Sequence, residues 1–408
     1  MKCRHCGTEV SLTLIDLGSA PPSNAYLTPL TIRRPEKWFP LKVLVCESCW
    51  LVQAESYSRA AELFNDEYAY FSSFSDQWLR HAEDYVNKMT TRFGLTVDSH
   101  VIEVASNDGY LLQYVKQRGI PCMGIEPTAS TSAAARLKGI KTIEEFFGTP
   151  LATRLAAQSM HADLMAANNV LAHVPDINDF AAGFVILLKP QGIATFEFPH
   201  VMHLIEENQF DTIYHEHFSY LSFTTVVKIL KTNGLSVFDV EELGTHGGSL
   251  RVFAQINDTG MQPVNEAVSI LLDREAAAGM NRAIYYEGFQ AHANKVKNDF
   301  LAFLLEAKQT GKTVAGYGAA AKGNTLMNYA GVRPDLLSYV ADRNPAKQEK
   351  FIPGCRIPIV SEAFLKRNKP DFVVIFPWNL REEVIVQLAY IREWGGRFVT
   401  PIPRIEIV

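Results

Sequence analysis

Short, almost wholly apolar runs recur through the middle of the chain, separated by amphipathic stretches. This is the pattern of strands buried on both faces of a parallel sheet beneath helices. Val101, Ile102, Val104 and Ala105 form the first run. The turn residues Ser106, Asn107, Asp108 and Gly109 follow, and Tyr110, Leu111, Leu112, Tyr114 and Val115 then fall at helical spacing. Residues 122–126, 143–147, 163–170 and 193–199 predict the second to fifth strands, which makes a doubly wound sheet. A helix is expected from about Asp76 and an amphipathic one from Phe223 to Gly234. Residues 237–240 and 250–254 read as paired strands, and 266–308 as mostly helical. From Lys312 the sequence of strand, glycine turn and helix starts again, with further strands at 337–342 and 372–376.

The N-terminal stretch follows no such period. It carries Pro21, Pro22, Pro29, Pro35 and Pro40, a composition that needs a staple to hold a fold. Cys3-x-x-Cys6 and Cys46-x-x-Cys49 provide one, since each C-x-x-C turn offers two thiolates to a tetrahedral zinc. A redox C-x-x-C is the rival reading. Four thiolates leave no open coordination position, so a structural role is expected, with His5 at the surface rather than a ligand.

At 408 residues the chain is long enough for two or three domains, and the patterning divides it at 1–66, 67–284 and 285–408. It is 47% hydrophobic and 20% charged with a net charge of −5, so no electrostatic footprint for nucleic acid is expected. No apolar run reaches the roughly 18 residues of a membrane span, and MKCRHCGTEV lacks the apolar core of a signal peptide. A cytoplasmic location is the expectation, with reduced cysteines.

Ligands bind outside the carboxyl ends of strands in such sheets. Glu103 and Asp108 place carboxylates at or near the first of these ends, where they would repel a pyrophosphate and welcome a cation. Ala105, Asn107 and Gly109 stand where a dinucleotide fingerprint would want glycines, and Glu126 ends the second strand as a ribose-gripping acid does. Together these suit S-adenosylmethionine better than NAD. Tyr214-His-Glu-His217-Phe-Ser-Tyr220 gathers two histidines, a glutamate and phenols that could supply a base and an oxyanion partner, although a structural cluster would look the same. If this segment is extended, His215 and His217 share a face opposite Glu216. Thr245-His246-Gly247-Gly-Ser-Leu-Arg251 reads either as a plain turn or as a hinged loop over a polar ligand. The loop Gly316 to Asn324, with Gly318 and Lys322 and no carboxylate, suits phosphate, and Asp342 ends the next strand. Tyr68, Tyr70, Ser72, Ser73 and Ser75 precede the first helix and could line a cleft or merely pack on the next domain.

In this order, the cysteine knuckles, EVASNDGYLL, NNVLAHV, YHEHFSY, THGGSLR and GYGAAAKG resemble the sugar C-methyltransferases. These enzymes methylate C-3 of nucleotide-linked 4-keto deoxysugars, and the similarity spans essentially the whole chain. The resemblance implies a small zinc-binding module, a central class I methyltransferase domain and a C-terminal Rossmann-like domain. It implies structural Zn2+ at Cys3, Cys6, Cys46 and Cys49. S-adenosylmethionine would lie at Glu103, Ala105, Asn107, Asp108, Glu126, Asn168 and Asn169. A thymidine-diphosphate (dTDP) sugar would contact Tyr70, Ser73, His246, Gly247, Arg251, Gly318, Lys322, Asn324 and Asp342. His217 matches the catalytic histidine, oriented by Glu216, with Tyr214, His173 and either Tyr68 or Tyr70 beside it. An NAD-dependent oxidoreductase acting on a nucleotide sugar, or a non-catalytic nucleotide-sugar binder, is the alternative. Which sugar is used and the oligomeric state are not written in these motifs; a monomer is compatible with them.

Overall fold

The computed structural model describes residues 1–57 and 71–408. Its N-terminal strands β1 (Leu12–Ala20), β2 (Phe39–Val45) and β3 (Val52–Ala54) run antiparallel. Each cysteine knuckle is followed by a left-handed residue, Gly7 at φ 74° and Trp50 at φ 68°. Glycine takes that conformation freely. Trp50 is held in it by stacking on Tyr286, with ring centroids 6.1 Å apart.

The helix Asp76–Phe93 begins where expected, because the Ser75 hydroxyl accepts the Trp78 N–H, and it ends at Gly94 in the left-handed region. The central sheet then builds from β4 (Val101–Val104), β5 (Cys122–Ile125), β6 (Lys141–Ile143), β7 (Ala162–Asn168) and β8 (Leu188–Pro199), all parallel. The third strand lies earlier than the expected 143–147. Ile143 is the last residue in register with β5, and Phe147 turns away to pack edge-on against Phe180 and Phe184.

After β8 comes β9 (Ser219–Tyr220), which leaves the central unit and pairs with β3, Val52 opposite Tyr220 and Gln53 opposite Ser219. The expected strand pair is β10 (Leu235–Leu243) and β11 (Ser249–Ile256), and β11 joins the central sheet antiparallel to β8. Among the described residues the order is β10-β11-β8-β7-β4-β5-β6. The connections reverse between β4 and β7, so a crevice opens outside the carboxyl ends of those two strands.

The long helix Phe289–Gln309 leads into a second parallel unit: β12 (Val314–Tyr317), β13 (Val340–Ala341), β14 (Ile359–Val360), β15 (Phe372–Ile375) and β16 (Arg397–Thr400), closed by antiparallel β17 (Glu406–Ile407). Its order is β14-β13-β12-β15-β16-β17, which puts its own switch point between β12 and β15. The strand expected at 337–342 shrinks to Val340–Ala341. Cys3, Cys46, Cys49 and Leu51 share a core with the central-sheet residues Phe196 and Phe198. Ile15 and Val43 share another with Phe300 and Leu326 of the C-terminal unit. The cysteine module is therefore wedged against both larger units. No described helix is long and apolar enough to cross a membrane.

Candidate active site

The four cysteine sulfurs lie within 4.8 Å of one another, with Cys3–Cys49 and Cys6–Cys46 at 3.5 Å. Four sulfurs about 2.3 Å from one zinc ion sit roughly 3.8 Å apart, whereas a disulfide needs about 2.05 Å. The donor set fits structural Zn2+. The Gln53 side-chain amide donates to Cys3 Sγ at 3.3 Å, the kind of outer contact that orients a ligand. His5 stands outside the group and hydrogen-bonds Asn178.

At the switch point of the central sheet, Ala105, Asn107 and Gly109 have φ of 58°, 49° and 76°. The loop thus adopts the glycine-favoured conformation at all three positions while spending only one glycine. Holding non-glycine residues there costs of order 1–3 kcal/mol each, the sort of strain kept at ligand sites. Glu126 receives the Asn107 N–H through Oε2, and the Thr128 N–H and hydroxyl through Oε1. Both oxygens of Glu103, Ser106 Oγ, Asp108 Oδ1, Asn168 Oδ1 and both amide atoms of Asn169 are buried with no hydrogen-bond partner of good geometry among the described residues. Burial pushes the Glu103 carboxyl well above the ordinary range; the Tyr110 hydroxyl opposes this, while Asp108 and Glu126 reinforce it. Orphan acceptors and mutually repelling carboxylates around one crevice fit a cationic, hydroxyl-bearing ligand. That is the acceptor pattern S-adenosylmethionine needs.

Tyr214 to His217 is a turn, closed by His217 N–H donating to the Tyr214 carbonyl at 2.9 Å. The extended reading therefore fails. His215 turns to the Phe39 and Pro40 carbonyls and meets the Phe39 ring in an edge-on contact. Glu216 does not orient His217: its carboxylate receives the Asn24 amide at 2.7 and 2.9 Å. Burial raises Glu216 to about 7 against that hydrogen bond. His217 Nδ1 instead lies 2.9 Å from the Thr212 carbonyl. A carbonyl only accepts, so Nδ1 carries the proton and Nε2 the lone pair. Burial holds His217 well below its ordinary pKa, helped by the neighbouring His173. His173 is itself lowered to about 4 by burial, and its Nδ1 is 2.8 Å from the Glu216 carbonyl. The His173 and Tyr214 rings pack on His217 with centroids 4.6 and 4.0 Å away.

The 245–247 loop closes the site from one side. The His246 ring, lowered to about 4 by burial, lies 5.2 Å from Trp78, which stacks on His81. Arg251, expected at the substrate, is buried and bound to Glu197 at 2.8 Å, where its charge neutralises an interior carboxylate. On the other side lies the switch point of the C-terminal sheet. There the Lys322 ammonium sits 3.9 Å above the Trp378 ring, hydrogen-bonds Asn379 and is lowered to about 8 by burial. Gly318 has φ 84°, and a Cβ there would crowd Pro377.

Three further expected site residues make contacts within the protein. Asn324 is buried and donates to the Pro353 carbonyl, so it braces the fold. Asp342 accepts the Ala319 N–H at 2.7 Å and orders the glycine turn. Ser73 packs on the 105–109 loop, its N–H donating to Asp108 Oδ2 and its hydroxyl accepting from Lys138 Nζ. Tyr68 and Tyr70 lie outside the described residues. Asn24, Asp211, Thr212, His81 and Trp378 all belong to the site and none stood out in the sequence, because their roles arise from contacts between distant segments.

Three family models match the chain in succession: a zinc binding domain over residues 3–64, a methyltransferase domain over 78–240 and a C-methyltransferase C-terminal domain over 244–403. The C-methyltransferase NovU of Streptomyces niveus is 33% identical over 407 residues, covering 100% of this chain and 96% of its own. Among solved structures, magnesium protoporphyrin IX methyltransferase of Synechocystis PCC 6803 is similar at 15% identity, with a TM-score of 0.33 over 43% of this chain and 78% of its own. The PH0226 protein of Pyrococcus horikoshii OT3 is similar at 13% identity, with a TM-score of 0.39 over 49% of this chain and 100% of its own.

Proposed function

The chain belongs to the S-adenosylmethionine-dependent C-methyltransferase family, and from that premise we propose that it methylates C-3 of a dTDP-linked 4-keto deoxysugar. The oxidoreductase and non-catalytic alternatives give way to that family. The observation that carries the finer reading is the pairing of the buried His217, through Nδ1, with the Thr212 carbonyl.

A C–H bond beside a ketone can be deprotonated because its anion is an enolate. The chemistry needs a base that is neutral at cell pH, aimed by a fixed hydrogen bond and shielded from water. His217 has all three properties. Its Nε2 takes the C-3 proton, and the Thr212 carbonyl receives the Nδ1–H, which strengthens as the ring becomes imidazolium. The burial that keeps His217 neutral also weakens it as a base, so the enolate oxygen needs its own donor. The Tyr214 phenol is the described candidate, with Tyr68 the second. S-adenosylmethionine, when bound, supplies an electrophilic methyl group on a sulfonium. Glu103, Asp108, Glu126, Asn168 and Asn169 would hold it at the β4–β7 crevice. His173 follows that crevice in the chain and packs on His217, so the two sites adjoin.

The nucleotide end is assigned to the C-terminal switch point, with Lys322 and the Gly318 turn receiving the diphosphate. A small-molecule partner, no nucleic acid or membrane partner and a cytoplasmic setting complete the proposal. The test is mass spectrometry of products from a panel of dTDP-linked 4-keto sugars with S-adenosylmethionine, followed by NMR placement of the new methyl. C-5 also adjoins the ketone, so a methyl at C-5 refutes the C-3 assignment. No methylation of any member refutes the substrate class.

A further inference from the structure

Three consecutive residues just before the candidate base are each engaged by a different partner. Trp378 Nε1 donates to Asp211 Oδ2 at 2.8 Å. Thr325 Oγ1 donates to the Ile213 carbonyl at 2.8 Å. Between them, Thr212 turns its carbonyl to His217. Both outer donors come from the C-terminal unit, Thr325 from the helix Ala321–Tyr329 and Trp378 from the segment after β15. All three clamped residues are buried.

The seat is shaped for this contact. A Cβ on Gly247 would fall 2.5 Å from the Trp378 ring, so a glycine is needed for the indole to reach Asp211. The Gln209 side chain ties the same turn to the Gly247 carbonyl at 2.8 Å. Lys322, the residue assigned to the diphosphate, stands over the same indole.

We infer that Trp378 and Thr325 are positioning residues, through which the C-terminal unit fixes the Asp211–Ile213 turn and so aims the proton-accepting nitrogen of His217. The inference deepens the proposed function and rests on His217 being the base. A peptide carbonyl can swing unless the groups on both sides of it are held. A neutral imidazole without such an acceptor prefers its proton on Nε2, which would turn the lone pair away from the substrate. The unit that seats the nucleotide would thereby also set the readiness of the base.

The test uses the full-length, zinc-loaded protein with 15N-labelled histidine. Trp378→Phe keeps a ring over Gly247 and deletes the donor; Thr325→Val deletes the hydroxyl at nearly constant volume. The wild type should show His217 in a single tautomer with the proton on Nδ1. The double variant should show a mixture or the opposite tautomer while S-adenosylhomocysteine affinity stays within about twofold. With a dTDP-linked 4-keto-deoxysugar, kcat for solvent-deuterium exchange should fall about tenfold or more and KM should move less than about threefold. An unchanged tautomer with unchanged kcat overturns the inference, as does a change in KM alone, which would make the contact one of binding. Should Trp378→Phe fail to fold, Asp211→Leu, which removes the acceptor at similar volume, reads the same contact. A shifted tautomer combined with full exchange activity in His217→Asn would leave the clamp standing and remove the base assignment.

Discussion

His217 points Nδ1 at the Thr212 carbonyl, 2.9 Å away, while Glu216, its neighbour in sequence, turns to Asn24. The proposed base is therefore oriented by a backbone acceptor, and the glutamate of its turn belongs to a contact with the cysteine module. Each consequence can be measured.

Asn24→Ala should destabilise the protein by about 1–3 kcal/mol, since it removes the amide donor from a buried carboxyl. Glu216, at about 7, sits above its unfolded value near 4.5. Between those values the unfolded chain has released a proton that the folded chain keeps, so this group lowers stability as pH rises through the window. Without Asn24 the folded value climbs further. Urea unfolding should show a larger loss at pH 8 than at pH 6; equal losses would mean that Glu216 does not depend on Asn24.

The lowered histidines act in the opposite sense. His173 and His246, at about 4, stay neutral where the unfolded chain would protonate them near 6.5. Each removes up to about 1.4 kcal/mol of stability per pH unit as pH falls from 6.5 toward 4. His173→Asn should accordingly lose less stability than the wild type between pH 7 and pH 5. Parallel curves for the two proteins would contradict the burial account.

The zinc module should hold one ion per chain, lost in Cys46→Ser, with cobalt substitution giving thiolate charge-transfer bands. Because β3 pairs with β9 directly after the turn that carries the proposed base, chelation should slow enolate formation as well as lower Tm. A chelated protein with normal exchange would make the module dispensable to the site.

Glu126→Ala should weaken S-adenosylhomocysteine binding about tenfold or more, since it removes the acceptor that fixes the Asn107 and Thr128 amides together with the proposed ribose partner. Gly109→Ala should weaken it too, through a left-handed φ of 76° and a clash with Ile140. Calorimetric titration separates these from unfolding. Wild-type affinity in both variants would move the cofactor elsewhere.

Much of this was legible in the sequence because it depends on local signals. The two C-x-x-C turns, the buried run at Val101–Val104 and the turn residues at Ser106–Gly109 each reveal their structure within a few positions. The missing glycines at Ala105 and Asn107 argue against a dinucleotide from sequence alone, whereas the left-handed conformation of both residues emerges only in the fold. What remained hidden is non-local. Nothing about Thr212 marks it as the acceptor for His217, and nothing about Asn24 or Trp378 predicts contacts with Glu216 and Asp211 across the chain. Arg251 and Asn324 show a related point: a polar residue in a glycine-rich motif can serve the interior as well as a ligand, and their contacts to Glu197 and Pro353 are also non-local.

The central claim is that His217 forms an enolate before any methyl group moves. It is tested most directly by proton NMR of a dTDP-linked 4-keto-deoxysugar in deuterium oxide without S-adenosylmethionine. The wild type should wash deuterium into C-3, and His217→Asn should do so about a hundredfold more slowly while still binding S-adenosylhomocysteine. Exchange at the wild-type rate in His217→Asn would show that another group takes the proton.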